Sequence, residues 1–70
     1  MKRIRRVDLQ LLSTRALLAL IEFDRWHNDP SQKLHTDTLE FIHDIAAERS
    51  EHDPAADKLL QVVAPLLPEV

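Results

Sequence analysis

The chain contains no cysteine, no glycine and no tyrosine. Each absence excludes a class of protein. Without cysteine there are no disulfides, no thiolate-ligated zinc and no redox thiol. Without glycine no glycine-rich phosphate cradle can form. Helices must also end without the residue that most often takes the left-handed conformation beyond them. Strand signals are missing too: there is no alternating β-branched run and no Asn-Gly or Asp-Gly turn. The longest apolar run, Ala16 to Ile21, is far shorter than the roughly 20 residues a membrane helix needs. Basic residues open the chain as in a secretory leader. Asp8, Gln10, Ser13, Thr14 and Arg15 then interrupt the apolar core that a leader requires, and no small-residue cleavage site follows. The expectation is a soluble, cytoplasmic chain without a membrane role.

Helix-forming residues make up what is there: Leu, Ala, Glu, Asp, Arg and Ile carry long stretches. At 70 residues one domain is the ceiling, and a domain of this size buries only about 60% of the surface its unfolded chain exposes. With disulfides excluded, good helix packing or oligomerisation must supply the rest of the stability. The expected fold is all-α, a small three-helix bundle spanning 1–70 as a single domain. A basic arm at 1–6 precedes helices at about 8–28, 37–49 and 54–64, and a tail follows at 65–70. Helices 2 and 3 are expected to pack as a hairpin against the long helix 1.

The capping signals support these bounds. Helix 1 should start between Ile4 and Asp8, with Asp8 able to accept from the free N–H groups of a first turn, and should end near His27 or Asn28. Asp29-Pro30-Ser31-Gln32 has the spacing of a capping box, with room for one turn before His35. Thr36 or Asp37 should cap the second helix, whose apolar face is Leu39, Phe41, Ile42, Ile45 and Ala46. Asp53-Pro54 should open the third, with proline at its first position. Pro65 removes a ladder donor and should kink or end that helix.

Two apolar stripes run along helix 1. Leu9, Leu12, Ala16, Ala19, Leu20, Phe23 and Trp26 form one, expected to face the core with Trp26 as its anchor. Val7, Leu11, Leu18 and Ile21 form a second on roughly the other side. A surface helix needs one apolar face. The second stripe therefore points to contact with another chain, expected to be a second copy, or to cover by helix 3 or the C-terminal tail Leu66-Leu67-Pro68.

The formal net charge of −3 hides a split. Lys2, Arg3, Arg5 and Arg6 cluster at the start, whereas Arg49 is the only basic residue among seven acids between Asp37 and Asp57. Glu40, Asp44, Glu48 and Glu51 form an acidic face suited to a basic protein surface. The four N-terminal cations are candidate contacts for nucleic-acid phosphates, although no aromatic residues interleave them and the acidic body opposes binding elsewhere. Glu40-x-x-His43 has the helical spacing of carboxylate-bridged metal sites, but such sites need further carboxylates from other helices. Ser13, Ser31 and Ser50 lack any nucleophile-elbow context. The expectation is a non-enzymatic regulatory or adaptor protein, without metal or cofactor, that binds a protein partner stoichiometrically. A small dimeric DNA-binding regulator is the alternative.

Overall fold

The computed structural model describes residues 4–27 and 33–67. The caps and helix ends anticipated at Asn28 and Asp29–Gln32, the cations Lys2 and Arg3, and the tail end at 68–70 lie outside those residues. The described residues form four α-helices and no strand: α1 (Arg6–Gln10), α2 (Thr14–His27), α3 (Thr36–Arg49) and α4 (Pro54–Val63), followed by a 3-10 turn at Ala64–Leu66. The fold is small and all-α.

The single long helix expected over 8–28 is two helices. Their junction lies at 11–13, where local hydrogen bonds compete with helix continuation. Leu11 N–H donates to the Asp8 carbonyl at 3.3 Å and Leu12 N–H to the Leu9 carbonyl at 3.1 Å, which tightens the end of α1 into 3-10 geometry. Ser13 then caps α2, its Oγ accepting from Ala16 N–H at 3.1 Å, as serine does for the first free donors of a helix. Asp8 is not a cap. It lies inside α1, and its carboxylate meets Arg5 Nε at 3.1 Å.

The junction lets the two segments use different partners. α1 packs on α3, whereas α2 packs on α4, and α3 and α4 pack on each other. α1 travels with α3: Ile4 N–H donates to Thr38 Oγ1 at 3.3 Å near the start of α3, and Arg49 at its end donates to the Gln10 carbonyl at 3.0 Å. α2 travels with α4 from Thr14 beside Asp53, and further on Asp24 lines one cleft with Leu66 of the turn that follows α4. The core joins Leu9 of α1, Leu17 and Ile21 of α2, Leu34, Leu39, Ile42, Ile45 and Ala46 on or before α3, and Leu59 and Val63 of α4.

The remaining caps are specific. His35, rather than Thr36 or Asp37, caps α3 through Nδ1, which accepts from Asp37 N–H at 3.0 Å. The same nitrogen lies 3.6 Å from the Asp37 carboxylate. Asp53 caps α4 through Ala55 N–H at 3.0 Å, with Pro54 at the first helical position. α4 gives way to the 3-10 turn that contains Pro65.

Candidate protein-binding surface

α2 is inverted relative to its sequence pattern. Its inner face carries Thr14, Leu17, Ile21 and Asp24, all buried. The two polar members are held by hydrogen bonds. Thr14 donates from its hydroxyl to Asp53 Oδ2 at 2.7 Å and accepts from Arg49 at 3.4 Å. Asp24 Oδ1 accepts from Leu34 N–H at 2.8 Å. No buried side-chain nitrogen or oxygen among the described residues lacks a partner, so these polar groups do not carry the desolvation cost of an unsatisfied buried group.

The Thr14 junction ties four helix ends together. Arg49, at the end of α3, reaches the end of α1 and the start of α2, and Asp53, at the start of α4, accepts from Thr14. The Asp53 carboxyl is held below its ordinary value of 3.8, first by the Thr14 hydroxyl, then by Ala55 N–H and the charges of Arg49 and Arg15. At the other end of α2, Lys33 Nζ donates to the Asp24 carbonyl at 2.9 Å, closing a helix terminus whose last carbonyls have no partner within the helix. A shallow cleft of about 310 Å³ lies there, between Asp24, Lys33, Leu39 and Leu66.

The outer face of α2 carries Ala16, Ala19, Phe23 and Trp26. At 100° per residue these centre about 160° around the helix from the buried row. Trp26 is 72% exposed and Phe23 57%, Ala19 is exposed and Ala16 half-buried. Arg25 lies over the Trp26 ring at 5.3 Å and covers part of it with another exposed group. The core-anchor role expected for Trp26 is thus overturned: Leu17 and Ile21 hold the α2 side of the core. Of the stripe expected to face inward, only Leu9 is fully buried.

The second stripe also divides. Ile21 is 0% exposed in the chain's own core, Leu18 is half-buried, and Val7 and Leu11 are exposed, Leu11 at 81%. These four residues do not form one exposed row. Val7 belongs to α1, Leu11 to the junction and Leu18 and Ile21 to α2, so a wheel drawn through all of them assumes a continuity that the chain lacks.

Glu40, Asp44 and Glu48 lie along one outer row of α3, with Glu51 in the turn beyond, and all four are exposed. Asp44 meets Arg6 at 3.9 Å. Of the candidate phosphate contacts, Arg5 is paired with Asp8, and Arg6 lies between Asp44 and the Phe41 ring, 5.8 Å from its centroid. His43 is half-buried and Glu40 exposed. Among the described residues no group of three or more His, Asp or Glu side chains could hold a metal ion, and no helix is long and apolar enough to cross a membrane.

No protein family, curated sequence or solved structure matches this chain.

Proposed function

We propose that the chain is a small, non-enzymatic protein-binding module that acts by stoichiometric association, as an adaptor or inhibitor of a larger protein. One observation carries this reading: the outer face of α2, on which two aromatic side chains are more than half exposed. Exposed apolar patches on small chains mark interaction surfaces, and tryptophan is among the residues that most often dominate binding energy. The polar inner face supports the same reading. Leu17 and Ile21 are the fully buried apolar side chains of α2, whereas Trp26 is 72% exposed.

A second surface, the acidic row Glu40, Asp44, Glu48 and Glu51, suits a basic patch on the partner and would steer its approach. Binding to DNA through Lys2, Arg3, Arg5 and Arg6 is less well supported, because Arg5 and Arg6 already face carboxylates of their own chain. The test is capture of a partner by the immobilised chain, repeated with Ala19→Arg. That substitution places a charge at the centre of the outer face, where no core contact is lost. Capture by the wild type that fails with Ala19→Arg supports the reading. Capture that survives Ala19→Arg and falls with the acidic row neutralised moves the binding surface to α3. DNA binding that weakens steeply with salt and vanishes on neutralising the four cations favours the alternative.

A further inference from the structure

Ala16, Ala19, Phe23 and Trp26 are spaced by three, four and three residues. This is the a/d pattern of a helix seam that packs against another helix. Leu20 flanks the seam on one side, Arg15 and Glu22 on the other. Arg15 and Glu22 are both exposed, opposite in charge and two turns apart.

We propose that this seam takes a second copy of the chain, with the two α2 helices antiparallel and related by a two-fold axis. The proposal rests on the reading of the outer face as a protein-binding surface and adds the occupant, its direction and its register. A two-fold interface uses one patch twice, so the patch must complement itself. The Arg15/Glu22 flank does so in only one of the simple arrangements. Antiparallel, with Ala16 of one copy against Ala19 of the other, Arg15 of each copy faces Glu22 of its mate, giving two equivalent ion pairs. In a parallel in-register pair, Arg15 meets Leu20 of the other copy, which offers it no charge. In an antiparallel pair shifted by one heptad, Glu22 faces Glu22.

The apolar residues fit the same register. Alanines at the two central layers let the helix axes approach toward the close end of the usual 8–10 Å range. Phe23 then lies opposite the 11–13 junction of the other copy, where Leu11 is exposed, and Trp26 extends past it. With two alanine layers and two aromatic side chains per copy, the interface falls at the small end of specific interfaces, about 1,200 Å² or less, which suits a reversible dimer.

The test is sedimentation equilibrium of the full chain at low salt, from about 1 µM to about 1 mM, with four variants. The wild type should pass from monomer to dimer within that range. Ala19→Arg should stay monomeric, with unchanged helical circular dichroism showing that it is folded. Arg15→Glu and Glu22→Arg should each weaken dimerisation by about three- to tenfold, because each replaces two attractive pairs with two repulsive ones. The double variant Arg15→Glu/Glu22→Arg should restore it. A dimer strengthened by Glu22→Arg, or a double variant no better than the singles, overturns the proposal. So does a wild type that is monomeric throughout the range. In that last case, a partner captured by the wild type and not by Ala19→Arg would leave the binding reading standing, with a different occupant, whereas no capture at all would remove both.

Discussion

The two faces of α2 invert the usual division of labour in a helix. The inner face buries a threonine and an aspartate beside one leucine and one isoleucine. The outer face leaves the chain's only tryptophan and one of its two phenylalanines in solvent. Hydrophobicity alone would turn the helix the other way. Hydrogen bonding allows the observed orientation, since Thr14 meets Asp53 and Arg49, and Asp24 meets the Leu34 amide. Burial follows from having partners as much as from being apolar.

The largest effects should come from the inner face. Ile21→Ala should cost about 2–5 kcal/mol in chemical denaturation, the range for truncating a buried aliphatic side chain, whereas Trp26→Ala should change monomer stability by about 0.5 kcal/mol or less. Equal costs would erase the distinction between the faces. Asp24→Ala should cost about 1–3 kcal/mol by leaving the Leu34 amide buried without its acceptor. That an acidic-to-apolar change destabilises while an aromatic-to-alanine change does not is the sharpest contrast the helix offers. Ser13→Ala should cost about 1 kcal/mol through loss of the α2 cap. A neutral result would mean that the junction is held by packing alone.

The smallest expected effect is on pH dependence. The Asp53 carboxyl is depressed in the folded chain, mainly by the Thr14 hydroxyl. Its contribution is therefore fully present above the ordinary carboxylate pKa and is lost as pH falls through the lower folded value. Asp53→Asn should flatten that part of the acid limb of a stability–pH profile. Thr14→Val should flatten it in part, because Ala55 N–H, Arg49 and Arg15 still favour the ionised form. An unchanged acid limb in both variants would separate Asp53 from the stability of the junction.

The helical class was legible in the sequence because 3.6-residue periodicity and capping chemistry are local. The Asp53-Pro54 start and the Pro65 stop follow from single residues whose conformational limits are strong. The break at 11–13 was less visible. Ser13 is a good cap, but it sits inside an apolar-periodic run, and periodicity by itself favours continuation. Once the break is missed, positions on either side are assigned to common stripes, and Val7 and Leu11 become false neighbours of Leu18 and Ile21. The inner face was hidden for a different reason. Thr14 and Asp24 share a face with Leu17 and Ile21, but their partners are Asp53, Arg49 and Leu34, which lie as much as 39 residues away. No local rule supplies those contacts. The signal that could have found the outer face is the strict three-four-three spacing from Ala16 to Trp26, read as a seam separate from the core.

The most direct test of the two-faced α2 is the fluorescence of Trp26, the chain's single tryptophan, measured with a soluble quencher across a dilution series. At high dilution the indole should emit as a solvated ring and be readily quenched. As concentration rises, the emission should shift to the blue and quenching should fall, with Ala19→Arg remaining in the solvated state throughout. A blue, quench-resistant Trp26 at the lowest concentration, unchanged by Ala19→Arg, would place the indole inside the monomer and contradict the assignment of the two faces.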